Sequence, residues 1–401
     1  MIITKIKLIC IAAFLSIIPL VASAAPLDVR KITPPKLEST HLGQKILCHR
    51  PMRHGSPNMI VEQKDGKVIA HNYGHGGSGW TLGPGSASYV NNLLINFSGT
   101  ADLKNDTPIT IIGAGALGFF TAYDLVQKGF TNITIVAEKF DSLTSHNAGG
   151  LLAPVSMDND PKMQKIIDQI GIDAYKFYAS IAQKKHKHFK DGAVIVPTYF
   201  ENREDSGLEP YVGKVMKPAK DVMLDFGNGT TRKMVSYDDG IFINTAKMMT
   251  GLRDYLDKKK IKFVQKKIHS FSDLNTMYII NCSGLGSGEL NKDGEMAAVQ
   301  GHLIMLKDQN PQDLQYMILV YFNEGETQSG QKVKRSFYIF PKHLPNTGAK
   351  DIGVIGGTFI EGATPKTPNE KEFDILLEGA KKFYGYSMII FNGSLSLASY
   401  L

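Results

Sequence analysis

Runs of apolar residues along the chain fall into two spacings, and each predicts a different element. "ITII" (109–112) is four consecutive β-prone residues that run straight into Gly113. "FFTAYDLVQKG" follows with apolar positions at helical spacing and stops on Gly129, and "NITIVAEKF" then reads as a second strand. Helical spacing recurs in "SASYVNNLLINF" (86–97), "TAKMMTGLRDYLDKK" (245–259) and "EKEFDILLEGAKKFYG" (370–385), the second of these leading into the strand "IKFVQKKI". The later part of the chain holds strand-like runs in close succession, "HLIMLKD", "MILVYF", "SFYIFP" and "IGVIGGTF", which predict a mixed or antiparallel sheet. Between two of them the polar stretch 323–334 reads as a mobile loop, and the basic run "KKHKHFK" (184–190) reads as a solvated helix face. No internal repeat is present.

The pattern at the N-terminus is different. Lys5 and Lys7 precede an apolar core at 8–21, and Ala22-Ser23-Ala24 forms a cleavage site, so residues 1–24 read as a signal peptide. Its core is too short for a good membrane span. The expectation is a periplasmic or secreted protein with no stable span after cleavage. Removing this leader takes away two lysines and no acid, so the formal charge falls from +7 to +5. Such mild basicity suits an anionic ligand and does not call for nucleic acid. Cys48 and Cys282 remain after cleavage, too few for a disulfide framework or a thiolate zinc site; they pair only if the fold brings them close. With 401 residues, 43% of them hydrophobic and 21% charged, the chain is long enough for two packed lobes and has a globular composition.

The chemistry starts at Gly113-x-Gly115-x-x-Gly118, with Ala116 and Leu117 inside the motif. It follows a strand, opens a helix, and is followed by a second strand ending at Glu138, the setting a dinucleotide-binding turn requires. Gly113 permits the tight turn, Gly115 lets the backbone approach a pyrophosphate at the helix N-terminus, and Gly118 allows close helix–strand packing. Glu138 is placed to accept hydrogen bonds from ribose hydroxyls. The motif leaves NAD and FAD both open.

Other stretches distinguish them. "HRPMR" (49–53), "HNYGHGGSGWTL" (71–82), "AEKFDSLTSHNAGGLLAP" (137–154), "YIINCSGLGSGEL" (278–290), "RSFYIFP" (335–341) and "IGVIGGTF" (352–359) together resemble the D-amino-acid oxidase family of FAD-dependent enzymes. The resemblance touches most of the chain between about residues 46 and 380. In that family the R-P-x-R and H-N-Y-G-H-G-G segments come last; here they come first, so the chain looks circularly permuted. The linker 98–107 then joins the helix at 86–97 to the strand at 109–112, and ten residues reach up to roughly 30 Å when extended.

The resemblance implies an α/β fold with a Rossmann-like FAD-binding lobe (44–170 and 240–300), a substrate lobe built on a mixed or antiparallel sheet (171–239 and 301–375), and an atypical tail at 376–401. It implies oxidative deamination of a D-amino acid, or of glycine or a secondary amine. The α-hydrogen leaves as hydride to the flavin, and the products are a 2-oxo acid, ammonia and, with dioxygen as acceptor, hydrogen peroxide. A flavin dehydrogenase with another acceptor and an inactive flavoprotein-like binding module are the alternatives. Arg50 would fork onto the substrate carboxylate, with the Tyr338 hydroxyl assisting, and Arg53 would be structural. Gly76, Gly77, Gly79, Trp80 and Thr81 would meet the flavin ring, as would Gly150 and Leu151. Lys139, Thr144, Ser145, Ile268 and Ser283 would line the rest of the cofactor. His71 and His75 sit in a stretch too rich in glycine to be helical, which argues against a metal chelated at i,i+4. Phe359 implies a neutral or apolar substrate side chain.

Overall fold

The computed structural model describes residues 27–98, 103–155, 157, 159–343, 347–364 and 366–386. The leader read at 1–24 lies outside these residues, as does most of the segment that follows Gly385. In chain order the elements begin with β1 (Asp28–Lys31), β2 (Leu42–Arg53), β3 (Val61–Lys64), β4 (Lys67–His71), α1 (Gly79–Ile95), β5 (Ile109–Ile112), α2 (Ala116–Gln127) and β6 (Ile133–Ala137). Next come α3 (Thr144–Asn147), α4 (Pro161–Ala182), β7 (Ala193–Ile195), β8 (Thr198–Phe200), β9 (Lys220–Asp225), β10 (Thr231–Tyr237) and β11 (Ile241–Ile243). The chain continues through α5 (Thr245–Lys258), β12 (Lys262–Gln265), β13 (Tyr278–Asn281), α6 (Ser287–Leu290), β14 (Met296–Leu306), β15 (Met317–Glu326), β16 (Lys332–His343), β17 (Ile352–Glu361) and α7 (Lys371–Tyr384).

Among the described residues one sheet has six strands in the order β12-β6-β5-β13-β4-β3, all parallel except β3. β5 and β13 are buried along their whole length, which is why they are continuous apolar runs. Helices α1, α2 and α5 share one core with this sheet, while Phe271, Leu274 and Leu290 pack with Ile69, Ile112, Val136 and Ile279 in another. The second sheet has nine strands in the order β1-β9-β10-β8-β15-β16-β17-β14-β2. It is mixed: β1 runs parallel to β9 and β8 to β15, and the remaining pairs are antiparallel. α7 packs on it through Phe373, Leu376, Ala380 and Tyr384, the apolar stripe of the helix predicted there. This is the α/β architecture with two large sheets that the sequence predicts.

Four local expectations are corrected. The stretch His71 to His75 is not helical, as expected, but the helix predicted at 86–97 starts earlier, at Gly79, although glycine disfavours helix. Packing wins: a Cβ at position 83 would lie 2.7 Å from Phe120, and one at 85 would lie 2.2 Å from Ile170 O, so the bare helix nests between α2 and α4. The basic run 184–190 is not helical, because α4 ends at Ala182. His186 stacks on Phe189 (5.1 Å, 20°), and its Nδ1 accepts from the backbone N–H of His188 and Phe189, which closes a turn. Residues 323–334 are not a loop but the outer part of a hairpin, paired from Asn323↔Arg335 to Glu326↔Lys332. Finally, residues 44–53 were expected with the nucleotide lobe, yet β2 pairs with β14 along the edge of the nine-stranded sheet; that ladder also runs through the 300/301 boundary.

Candidate active site

The dinucleotide turn forms where β5 ends. Gly113 has φ +107°, and a Cβ there would lie 2.3 Å from Cys282 O, so only glycine fits. A Cβ at Gly118 would lie 2.0 Å from Gly113 O, so this residue packs beneath the turn and does not line a cavity. Gly115 caps α2, and the first helical amide, Ala116 N–H, donates to Ser145 Oγ (2.9 Å). A cavity of about 570 Å³ lies over this turn, walled by Gly113, Gly115, Glu138, Lys139, Thr144, Ser145, Ile268 and Ser283. Lys266, Lys267 and His269 line it as well and were not singled out from the sequence. They follow the edge strand β12, so their position depends on the pairing of β12 with β6.

A narrower cavity of about 160 Å³ shares the walls Gly115, Thr144 and Ser145 and adds Gly76, Gly77, Gly79, Trp80, Ala116 and Leu117. It shares Arg50, Gly77, Trp80 and Tyr338 with a third cavity of about 850 Å³, to which Gly150 and Leu151 contribute. The three together form a trough that runs from Glu138 to Arg50. Trp80 Nε1–H donates to Ser145 O (2.9 Å), which joins the glycine-rich block to the segment after β6. Thr81 is not in the trough. Its buried hydroxyl donates to Ala153 O (3.0 Å), so it anchors α1 to the 151–153 segment and does not face a ligand.

Arg50 and Tyr338 come together at the neck between the second and third cavities. Arg50 lies in β2 and donates from Nη1 to Thr358 O (3.0 Å). Tyr338, in β16, stacks on Phe340 (4.5 Å, 8°) and lies close enough to Arg50 for the guanidinium charge to act on its phenol. Removal from solvent pushes the Tyr338 pKa up to about 12, opposed by the charge of Arg50, so the phenol is a neutral donor at ordinary pH. Arg53 instead pairs with Asp293 (2.8 Å) and donates to Ser56 O (3.0 Å), a structural role. The wall of the large cavity includes Met52, Leu319, Tyr321 and Phe359. Tyr321 was missed, but strand alternation could have found it: Leu319 is register partner to Tyr338, and Tyr321 is two residues further along.

Behind the 146–150 segment lies Lys342, which is 1% exposed. Its Nζ donates to His146 O (3.1 Å), Ala148 O (2.6 Å) and Thr245 Oγ (2.7 Å), and burial pushes its pKa down to about 8. Among the described residues Cys48 and Cys282 are both free and buried.

Three observations bear on whether a flavin dinucleotide fits. The turn brings Gly113 and Gly115 into the cavity wall, and a Cβ at Gly115 would meet Ser145 Oγ at 3.1 Å. Ser145 Oγ accepts from Ala116 N–H and keeps its own proton for a ligand oxygen. Both ring nitrogens of His75 are buried without a partner among the described residues, next to the cavity-lining glycines, and burial lowers its pKa to about 3. The residues suit the group.

Comparison with known proteins agrees. Residues 108–390 match the model of the DAO family, FAD dependent oxidoreductase, and the chain belongs to that family. FAD is its cofactor. The match begins at β5, so β2, the glycine-rich block and α1 lie outside it. Among solved structures the chain is similar to glycine oxidase from Bacillus cereus ATCC 14579, with 14% identity, 69% of this chain and 79% of that one covered, and a TM-score of 0.48. It is similar to L-amino acid deaminase from Proteus vulgaris, with 12% identity, 71% and 76% covered, and a TM-score of 0.46. It is also similar to fructosyl amine:oxygen oxidoreductase (Amadoriase I) from Aspergillus fumigatus, with 13% identity, 64% of each chain covered and a TM-score of 0.43.

Proposed function

We propose that this FAD-dependent oxidoreductase deaminates a D-amino acid, glycine or a secondary amino acid, with Arg50 and Tyr338 holding the substrate carboxylate. The observation that carries this reading is the meeting of those two side chains, from different strands of one sheet, where the dinucleotide trough opens into the large cavity. When bound, FAD supplies a two-electron, hydride-accepting oxidant. The chain supplies binding and orientation. The Arg50 fork fixes both the charge and the plane of a carboxylate, and the neutral Tyr338 hydroxyl donates a further hydrogen bond. Two points of attachment leave the α-carbon little freedom. Leu151 and Phe340 make this part of the wall apolar, and the Cys48 thiol, whose pKa burial pushes up, stays neutral. The α-hydrogen leaves with its electron pair, the amine lone pair forms the C=N bond, and water hydrolyses the imine to a 2-oxo acid and ammonia, or a primary amine where the substrate is a secondary amino acid. Dioxygen as final acceptor gives hydrogen peroxide. The large cavity has room for a side chain beyond that of glycine, and Phe359 in its wall favours a neutral or apolar one.

The test is a visible spectrum of the purified protein before and after a D-amino-acid mixture is added without oxygen. Bleaching of the flavin band is expected. A band that stays oxidised would leave the family assignment in place and sink the substrate class.

We further infer that the order of segments is circularly permuted. The support is topological: β2 completes the nine-stranded sheet while β3 and β4 complete the six-stranded one. Beyond the end of α7, Tyr386 donates to Pro35 O (2.5 Å), so this point lies beside the chain that leads into β2. A connection from α7 to β2 would therefore be short. The leader read at 1–24 also favours a periplasmic or secreted enzyme; a mature protein that begins with the leader intact would refute this.

A further inference from the structure

We propose that His302 is a positioning residue for the substrate carboxylate, acting on Arg50 through Thr358. The inference rests on the reading of Arg50 given above.

His302 lies in β14 and is fully buried. The ladder between β14 and β17 is irregular beside it. Pairing runs through Val299↔Glu361 and Gln300↔Ile360 and resumes at Leu303↔Gly356, so residues 357–359 stand opposite residues 301–302. This is a bulge of one residue, a device that re-aims side chains. Gly357 makes it possible: its φ is +143°, and a Cβ there would lie 1.8 Å from Ser336 O.

At the bulge the Thr358 side chain takes over as the acceptor on β17. The backbone N–H of His302 donates to Thr358 Oγ (2.9 Å), and the same oxygen lies 2.7 Å from His302 Nδ1. The other ring nitrogen, Nε2, lies 2.8 Å from Pro368 O. A carbonyl oxygen only accepts, so Nε2 carries the proton of the neutral ring. Nδ1 is then a lone pair, and the Thr358 hydroxyl must donate to it. With Oγ both accepting and donating, the Thr358 side chain is locked. The carbonyl of the same residue accepts from Arg50 Nη1 (3.0 Å). On its other side the guanidinium presses on Gly301, where a Cβ would lie 2.6 Å from Nη2. The fork is thus fixed by Gly301 on one side and by the Thr358 peptide on the other.

The groups facing His302 keep the ring neutral. Phe373 of α7 packs against it edge-on (4.6 Å), and Glu372 is bound by Arg335 through two hydrogen bonds of 2.7 Å. Burial lowers the His302 pKa, and the charge of Arg50 adds to this; the Pro368 carbonyl, Glu372 and Glu370 oppose it. Protonation at Nδ1 would remove the acceptor on which Thr358 depends.

The experiment measures KM and the anaerobic flavin-reduction rate for an amino-acid substrate, together with the same rate for the matching amine that lacks the carboxylate. Thr358→Val removes the hydroxyl at nearly constant shape. It is expected to raise KM for the amino acid about tenfold, the scale of one lost hydrogen bond, and to leave the saturating reduction rate within about twofold. Thr358→Ser is expected to stay close to the parent enzyme. His302→Asn, whose Oδ1 can stand in for Nδ1, is expected to lose less than His302→Leu. The amine should show none of these changes, and Thr358→Val should cost nothing further in an Arg50→Ala background. Equal losses on amine and amino acid, or additive losses in that background, would overturn the proposal. If Arg50→Ala itself leaves KM unchanged, the carboxylate reading fails first. If Arg50→Ala raises KM and Thr358→Val does not, only the present inference fails.

Discussion

Among the described residues no acid forms an ion pair with Arg50; it holds the Thr358 carbonyl, lies beside the neutral Tyr338 phenol and leaves its charge for a ligand. Charge-assisted hydrogen bonds to a guanidinium contribute about 3 kcal/mol, so Arg50→Ala is expected to raise KM for the amino acid roughly a hundredfold. Tyr338→Phe removes one neutral donor and should cost only about 1 kcal/mol, read as a severalfold rise in KM with the flavin spectrum intact. For Gly113 the expected effect is on the cofactor instead. Its Cβ would collide with Cys282 O at 2.3 Å, so Gly113→Ala is expected to give folded but colourless protein, checked by absorbance and by titration with FAD. A fully yellow Gly113→Ala protein would place the dinucleotide elsewhere.

Between elements, Lys342 joins β16 to the segment that walls the flavin side of the trough and to the first turn of α5. Its three N–H bonds meet three acceptors. Lys342→Met would remove all three bonds and leave the His146 and Ala148 carbonyls only the longer contacts of the Thr245 hydroxyl (3.3 and 3.2 Å), at a cost of about 2 kcal/mol, with weaker FAD retention as the second readout. The folded pKa, about 8, lies below the unfolded value of roughly 10.4, so between those two values the unfolded chain binds the extra proton. Stability contributed by this group therefore rises with pH across that window. The parent protein should gain unfolding free energy relative to Lys342→Met from about pH 8 to about pH 10, and a difference that is flat or falls would show that the lysine is not desolvated as described.

For the whole molecule, the permutation can be tested by restoring the other order. A chain in which the segment 33–98 follows residue 386 through a short glycine–serine linker should fold, bind FAD and give the parent spectrum, because Tyr386 already touches Pro35. Loss of the fold in that arrangement would mean that β2 and α1 must be made first. The extent to which this architecture is legible in the sequence differs from element to element. β5, α2, β6 and Glu138 can be read directly, and so can the apolar stripe of α7. The helix over 79–85, the hairpin at 323–334 and the turn at 184–190 cannot: the first depends on the remote Phe120 and Ile170, the second on strand pairing that polar composition hides, and the third on His186 and Phe189 packing against the remote Tyr123.

What residue order alone establishes here is whatever rests on adjacency: the strand–turn–helix of the dinucleotide site, in which Gly118 packs against Gly113 O, and the periodicities that separate helix from strand; the demand for glycine at 113 comes instead from Cys282 O on a remote segment. What it leaves open rests on pairing between remote segments. The sequence offers Thr81 and Trp80 alike as flavin contacts, yet one side chain turns into the protein and the other lines the trough. It gives no sign that His302 and Thr358 meet, because a one-residue bulge between β14 and β17 brings them together. Register moves every side chain of a strand at once, and register is fixed only when sheets close on their partners.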